Sequence, residues 1–381
     1  MSWTQHLAFN IVFVLLGLFG ILLLPRNPVR RHLKIPALAM FTTCSLAVMV
    51  LLFVTSEDMI HHRNNFTRRF PHHPAELRKV MDMKVNSYYI AGEANGQVYL
   101  GNVTAPLTVT VVDSTLTLKK QINIILSPAR DRFYSLQLSI QMPYFYLSDG
   151  RFPVVYRGIV GDWTATIWTE NTAYFNAFAP MDSHHAAFRA ISSTKHEHIL
   201  GTFTVDKETM VKVNPLLDKQ ADGIFDTAGL LNYNSAHEKI LYTYLYKNEY
   251  LVIDDALQSK VIRHTIDTTA HVRIKTSYNT LTKERKMASP GWTVNNRAQT
   301  YRDYLFINSA VIGKLEPEIM WKKASIIDVY NFTHGTYAFS FYVTNIMGTK
   351  MSSFVAGNDK IYALCGQYLS SYRLTSDFYK N

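Results

Sequence analysis

The sequence predicts an all-β fold, a six-bladed β-propeller, preceded by two transmembrane α-helices. Two long apolar segments lie near the start of the 381-residue chain. From about residue 83, short strand-like runs alternate with turns rich in Gly, Asn, Asp and Pro. These runs form hairpin units about 45–55 residues apart, a period typical of four-stranded propeller blades, so the remaining ~300 residues divide into about six blades.

The two apolar segments are Leu7–Leu24, in which Asn10 is the strongly polar residue, and Ile35–Val54, which has no charge. As helices they would be about 27 and 30 Å long, enough to cross the hydrocarbon core of a bilayer. They predict a membrane hairpin over residues 1–56, with helices over about 7–24 and 35–54. A cleaved signal peptide is disfavoured because MSWTQH has no Lys or Arg and no small-residue pattern precedes Pro25. Two buried core helices are disfavoured by the length of the uncharged runs.

Basic residues flank the second segment on both sides. The preceding link, PRNPVRRHLK, contains Arg26, Arg30, Arg31 and Lys34. The positive-inside rule places this link in the cytoplasm and both ends of the hairpin outside. The prediction is therefore an inner-membrane protein with two spans and its large domain on the periplasmic side, since large domains are translocated largely regardless of their charge.

Residues 57–82 are predicted to be a basic juxtamembrane linker. This stretch contains His61, His62, Arg63, Arg68, Arg69, His72, His73, Arg78 and Lys79. These groups could form a collar on anionic lipid headgroups, where each basic residue contributes on the order of 1 kcal/mol. The favoured interpretation is a solvated, partly disordered spacer, and the two are compatible.

Residues 83–381 are predicted to form the propeller domain. The stretch PYFYLSDGRFPVVYRG, residues 143–158, reads as the middle hairpin of one blade, with its turn at Ser148–Gly150. Its aromatic residues Phe145, Phe152 and Tyr156 are expected to fill the layers between blades. The strand SYYIAG is a candidate to pair with the C-terminal blade and close the ring.

Four stretches resemble the blades of TolB-like six-bladed β-propellers of Bacteroidota: YFYLSDGRFPVVYRG, ILYTYLYKNEYLVIDDAL, TYRDYLFINSAVIG and FVAGNDKIYALCGQYLSSYRL. The resemblance covers about residues 84–381 and rests on repeated hydrophobic-turn patterns. It implies the fold and binding on one propeller face. The chain departs from lipoprotein relatives because Cys44 lies inside the second apolar segment and forms no lipobox.

Charge and cysteine content exclude some classes of protein. Of the net charge of +10, residues 1–80 contribute nine Lys and Arg against three Asp and Glu. The domain that follows is nearly balanced, so no nucleic-acid partner is predicted. Cys44 and Cys365 are not expected to meet in a disulfide.

Histidines are the first candidates for chemistry. His196 and His198 would project from one face of a strand, a spacing that zinc and copper sites use. Adjacent His184 and His185 would point to opposite faces and supply at most one ligand. The favoured alternative is exposed polar residues in loops, so no metal site and no cofactor are predicted.

Acidic and aromatic residues are the next candidates for a site. Six aspartates, Asp149, Asp162, Asp182, Asp226, Asp267 and Asp328, could supply a lactonase-like metal site in the channel, but turn formation explains most of them. Trp163, Trp168, Arg157 and Arg189 could line a ligand face, but tryptophans in the core and arginines at the surface are favoured. Walker A, G-x-S-x-G, H-E-x-x-H and G-x-G-x-x-G motifs are absent from the sequence.

The sequence therefore favours a non-enzymatic, membrane-tethered periplasmic propeller that binds or scaffolds an envelope partner. Small residues in the hairpin, among them Gly17, Gly20 and Ala37, would permit close contact with an integral membrane protein. The alternative is a propeller enzyme, a lactonase-like hydrolase or a redox protein, with a metal or quinone in the central channel. A third possibility is a sensor that signals through a separate partner.

Overall fold

The structure, a computed structural model, describes residues 65–375 except 131, 207, 280–283 and 289, and in the N-terminal part residues 11–13, 15–17, 19–20, 36, 40, 43–48 and 50–51. The chain divides into two units, Met1–Asn64 and Asn65–Asn381. The described residues of the first unit are α-helical. About half of the residues of the predicted helices over 7–24 and 35–54 lie outside the described residues. Where the chain is described, no helix has both the length and the apolar character needed to cross a bilayer.

The second unit begins with a short strand and the first three blades. Strand β1 (Ala75–Asp82) precedes them. Blade one consists of β2 (Tyr88–Ala94), β3 (Gln97–Asn102), β4 (Thr108–Asp113) and β5 (Lys119–Asn123). Blade two consists of β7 (Gln137–Gln141), β8 (Tyr144–Asp149), β9 (Val154–Ile159) and β10 (Thr164–Glu170), with β6 (Ile125–Ser127) added parallel to β10. Blade three consists of β11 (Ala177–Pro180), β12 (His185–Ile191), β13 (His198–Val205) and β14 (Thr209–Asn214).

Three further blades complete the ring. Blade four consists of β15 (Gly229–Asn234), β16 (Lys239–Tyr244), β17 (Glu249–Asp254) and β18 (Lys260–His264). A separate hairpin follows, β19 (Thr276–Asn279) and β20 (Glu284–Met287). Blade five consists of β21 (Asn295–Tyr301), β22 (Tyr304–Ser309), β23 (Ala324–Asn331) and β24 (Thr336–Thr344), with helix α1 (Glu318–Lys323) before β23. Blade six consists of β25 (Met351–Gly357), β26 (Lys360–Cys365), β27 (Tyr368–Leu374) and β1.

Six of the seven hydrophobic clusters in the described residues lie one in each interface between neighbouring blades, and the seventh joins Phe66 of the N-terminal segment to Val294 and Val311. The cluster between blades six and one, for example, joins Leu364 and Leu369 of one sheet to Val98 and Leu100 of the other. A blade has two large faces, and each is buried only by packing on the next blade. The ring of interfaces therefore confirms the predicted six-bladed, all-β propeller.

The ring is closed by β1, which pairs antiparallel with β27 from Ala75 opposite Leu374 to Asp82 opposite Tyr368. The prediction that SYYIAG closes the ring is wrong, because this segment is β2, the innermost strand of blade one. The physical reason is burial. Tyr88 and Tyr89 pack into clusters on opposite faces of the sheet, as an inner strand requires, whereas the middle of β1 is exposed.

The hairpin over residues 143–158 forms β8 and β9, the middle strands of blade two, as predicted, but its turn covers residues 150–153 and the predicted turn residues Ser148 and Asp149 end β8. Phe145 and Tyr156 are fully buried between blades one and two. Phe152 is a correction: it lies in the turn, 38% exposed, with the Arg130 guanidinium 4.6 Å from its ring centroid. Residues of a turn leave the sheet plane, so Phe152 cannot reach the layer between blades.

The N-terminal arm, residues 65–74, runs along blade five before it enters β1. Backbone hydrogen bonds join Lys314 N to Phe66 O at 2.8 Å and Ser340 N to Arg69 O at 2.8 Å. The rings of Phe70 and Tyr342 stack with their centroids 4.6 Å apart. Part of the segment predicted as a solvated linker therefore packs against the propeller.

Arg68 anchors this arm. Its side chain is 0% exposed, and its Nε and Nη1 donate to Asp328 Oδ1 and Glu316 Oε1, both at 2.6 Å. Burial alone would lower the pKa of Arg68, but Asp328 and Glu316 raise it, so the guanidinium stays charged. Arg68 is thus not free to bind lipid headgroups, as a collar role would have required.

Candidate functional site

The candidate site is the mouth of the central channel. The carboxyl halves of the six innermost strands, β2, β7, β11, β15, β21 and β25, line one cavity of about 420 Å³. Contributions from all six blades identify this cavity as the channel mouth. Its volume lies within the range of small-molecule sites, roughly 300–1,000 Å³.

The lining of the mouth is mainly neutral and polar. Its side-chain amides and hydroxyls belong to Ser139, Gln141, Asn232, Asn234, Ser235, Gln299 and Thr300. Among the described lining residues, Glu93 and Arg302 are the charged ones, and Phe178, Tyr233 and Tyr301 contribute aromatic rings. An amide offers both donors and acceptors, so the mouth can form hydrogen bonds of either direction with an uncharged ligand.

Asn234 fixes one side of the mouth. Its Nδ2 donates to the Arg302 carbonyl oxygen at 2.8 Å and to Thr300 Oγ1, and its Oδ1 accepts from His237 N at 3.0 Å. Asn234 is 3% exposed. These bonds tie the first hairpin of blade four to blade five, so Asn234 has a positioning role.

Asn232 lies two residues earlier on β15, on the same face of the strand as Asn234. Its Nδ2 is buried and, among the described residues, has no hydrogen-bond acceptor. A buried donor left unpaired costs about 1–3 kcal/mol. Asn232 therefore supplies a donor in the channel lining that a ligand could satisfy.

Glu93 supplies the carboxylate of the mouth. Burial raises the pKa of Glu93, and the Gly96 backbone N–H and the charge of Lys360 act against this shift. The carboxylate packs directly on Gly357, where an added Cβ would lie 1.9 Å from Oε2. Glycine at this position leaves the space that Glu93 occupies.

The structure separates the two histidines of the candidate pair His196 and His198. His196 lies in an exposed turn with a left-handed φ of 53°, whereas His198 is the first residue of β13 and is buried. The His198 ring nitrogens lie 3.1 Å from Thr227 Oγ1 and 3.2 Å from Asn176 Nδ2. Burial, followed by the charge of Arg189, lowers the pKa of His198 to about 4. The two side chains do not share a strand face because the chain reverses at His196.

The other histidine pair is also separated. His185 begins β12 and its Nδ1 lies 2.8 Å from Asp182 Oδ2, whereas the His184 Nδ1 lies 2.8 Å from Ser183 Oγ in the preceding turn. Within the described part of the chain, no group of three or more His, Cys, Asp and Glu side chains is placed to hold a metal ion.

The six aspartates do not converge on the channel mouth, because none of them belongs to its lining. Asp149 and Asp226 are buried and accept backbone N–H groups: Asp149 from Arg151 in the following turn and from Tyr134 before β7, and Asp226 from Gln220 and Gly223 in the preceding loop. Asp267 accepts from Thr265 and Thr269, and Asp328 binds Arg68. Asp182 caps the turn before β12, and Asp162 lies in an exposed turn.

The tryptophans and arginines that were candidates for a ligand-binding face contact other residues of the propeller. Trp163 packs between Tyr99 and Phe145 in the layer between blades one and two. Trp168 donates through Nε1 to Ser183 O at 3.1 Å, an oxygen that Arg157 also binds. Arg189 donates to Gly229 O at 2.6 Å and to the Tyr242 hydroxyl at 2.9 Å, which joins blades three and four.

The channel residues were missed at the sequence level. Asn232 and Gln299 lie on the first strands of the consecutive blades four and five, far apart in sequence, and no local motif marks them. Channel-lining residues could be identified from their position near the end of the first strand of each blade. This position is known only after the strands have been assigned to blades.

Comparison with solved structures supports the fold. The chain is similar to a member of the DUF4221 family from Bacteroides vulgatus, with 12% identity and a TM-score of 0.51 over 82% of this chain and 98% of that one. It is also similar to a putative exported protein from Bacteroides fragilis, with 8% identity and a TM-score of 0.49 over 82% of this chain and 99% of that one. No family model matches the sequence, and the search of curated proteins gave no match. The protein has the fold of a six-bladed β-propeller, and at 12% identity the likeness to the DUF4221 member shows the fold alone.

Proposed function

We propose that this protein is a membrane-tethered, non-enzymatic binding protein whose propeller recognises an uncharged, hydroxyl-rich component of the cell envelope at the channel mouth. The observation that carries the proposal is the neutral amide and hydroxyl lining, with the unpaired Nδ2 of Asn232 in it. A sugar hydroxyl both donates and accepts, as do the side-chain amides that would face it. The rings of Phe178, Tyr233 and Tyr301 supply apolar surface for the faces of a sugar ring.

The membrane tether rests on the two apolar segments over residues 7–24 and 35–54, each long enough for a span. The basic link between them favours two inner-membrane spans with the propeller on the periplasmic side. The resemblance to TolB-like propellers supports recognition on one propeller face. An integral membrane protein that packs on the small residues of the hairpin is the proposed second partner.

The enzyme alternative has weaker support. A lactonase-like site uses Glu, Asn and Asp side chains around one divalent cation, and the described lining of the mouth contains Glu93, Asn232 and Asn234 but no aspartate. About one equivalent of a metal or quinone in protein purified from its native membrane would favour the enzyme and contradict the proposal.

The proposal is tested by saturation-transfer NMR on the full-length protein in mild detergent. The probes are a panel of neutral mono- and disaccharides, with hexuronic acids and amino sugars as charged counterparts. We expect neutral saccharides to bind and Asn232→Ala to weaken binding by roughly three- to tenfold, the value of one hydrogen bond. The matched control is Gln121→Ala, an exposed amide on the outer strand of blade one. Equal binding by the two variants, or binding of charged sugars alone, would contradict the proposal.

A further inference from the structure

A surface beside the N-terminal arm exposes large apolar side chains surrounded by lysines. Leu315, Ile319 and Met347 are 79%, 56% and 81% exposed. Lys314, Lys322, Lys323 and Lys350 are exposed around them, and Glu318 is an exposed carboxylate of the same surface. We call these eight residues the rim patch.

The rim patch is continuous although its residues come from three segments. Lys314 N donates to Phe66 O at 2.8 Å, so the loop before α1 touches the start of the arm. Asn345 N donates to Lys323 O at 2.8 Å, and Asn345 Nδ2 donates to Lys322 O at 2.9 Å. The end of α1 therefore touches the segment that leads into the tight turn over Ile346–Thr349, which carries Met347.

The inner side of the rim patch is held in place by the Arg68 network. Trp321 Nε1 donates to Glu316 Oε2 at 2.7 Å, and Glu316 is paired with Arg68. On the outer side of α1, Ile319, Lys322 and Lys323 are spaced i, i+3 and i+4 and share one face. The exposed apolar tips thus lie on a fixed support, next to basic groups.

We propose that the rim patch docks on the headgroup layer of an anionic bilayer, an inference that rests on the membrane tether of the proposed function. Residues 55–64 join the end of the second predicted span to Asn65, and ten residues extend over at most about 36 Å. The arm beginning at Asn65 contacts Lys314 through Phe66, so the rim patch starts where this short connection ends.

The chemistry of the rim patch fits that partner. Four lysines against one glutamate are complementary to anionic phospholipids, and a basic residue at such a surface strengthens binding about fivefold. Exposed leucine, isoleucine and methionine side chains can enter the boundary between headgroups and acyl chains. Lysine stems lie along that apolar boundary while their ammonium groups stay with the phosphates.

The test is hydrogen–deuterium exchange of the full chain reconstituted in nanodiscs of phosphatidylcholine alone or mixed with phosphatidylglycerol. We expect peptides over 314–323 and 345–350 to exchange about fivefold more slowly in the anionic discs than in discs of phosphatidylcholine alone. The variant Lys322→Gln/Lys323→Gln should lose this protection. The matched control is Lys119→Gln/Lys120→Gln on blade one, where lysines also flank an exposed leucine, Leu118, and it should keep the protection.

Failure of the docking and failure of the tether give different results. If the chain enters both kinds of disc but shows no lipid-dependent protection, or if both variants lose protection equally, the docking is refuted and the tether stands. If alkaline carbonate strips the full-length protein from phosphatidylcholine membranes, the tether itself is refuted.

Discussion

Replacing the buried Arg68 by methionine should destabilise the propeller more than replacing the exposed Arg69 of the same arm. The guanidinium is buried and bonded to Asp328, Glu316 and Ser309. Methionine would leave two buried carboxylates without their counter-charge, a change that costs about 3–5 kcal/mol in other proteins. That is a large share of the roughly 5–15 kcal/mol that stabilises a typical fold.

The assay is urea unfolding of the full-length protein in mild detergent, followed by tryptophan fluorescence. Trp321 is a suitable reporter because Arg68 Cζ lies 5.6 Å from its ring centroid. Arg68→Lys keeps the charge but loses the forked geometry, so its loss should be smaller than that of Arg68→Met. The matched control is Arg69→Met, since Arg69 is exposed and, among the described residues, its side chain bonds to the Ala338 carbonyl oxygen alone. That control should lose no more than about 1 kcal/mol.

Equal losses for Arg68→Met and Arg69→Met would refute this reasoning, because they would mean that the buried charge network contributes no net stability. A replacement of the whole network by apolar residues can be neutral in some proteins. Arg68→Met removes one partner and leaves Asp328 and Glu316 in place. Their buried carboxylates then have no counter-charge, and this is the case in which burial is costly.

Two further predictions concern other buried groups. Because burial lowers the pKa of His198 from 6.5 to about 4, the unfolded chain binds this proton first and stability falls as pH drops below about 6.5. When the pH falls from 7.5 to 5.5, the free energy of unfolding of the native protein should decrease by about 1 kcal/mol more than that of His198→Gln. The control His196→Gln changes an exposed histidine, and its free energy of unfolding should vary with pH as that of the native protein does. The same pH dependence in the native protein and in His198→Gln would contradict this prediction. Gly357→Ala should cost about 1–3 kcal/mol in urea unfolding because its Cβ would overlap Glu93 Oε2, and most of this loss should disappear in a Glu93→Ala background. An unchanged loss in that background would locate the strain elsewhere.

Local patterns were enough to predict the strands and turns of individual blades. The hairpin over 143–158 is specified by aromatic and β-branched residues and by a turn over residues 150–153 that the Asp149 carboxylate caps, and both are properties of consecutive residues. Repetition of such hairpins predicted six blades, because a four-stranded sheet with two apolar faces needs a neighbour on each side.

Pairings between distant residues could not be predicted in this way. The β1–β27 pair joins Ala75 to Leu374, and the segment AELRKVMD shows no local feature that distinguishes a closing strand from a charged linker. Arg68 likewise looks like one more basic linker residue, and its burial depends on Asp328 being brought to it by blade five.

The ring of antiparallel blades in the large domain is predictable from the amino-acid sequence, because strand periodicity and turn chemistry act over a few residues. Three features become visible in the folded domain alone: which strand closes the ring, the burial of Arg68, and the meeting of Glu93, Asn232 and Gln299 at one channel mouth. The reason is that these outcomes depend on the angle and order of blades around a closed ring, which bring together residues that share no local pattern.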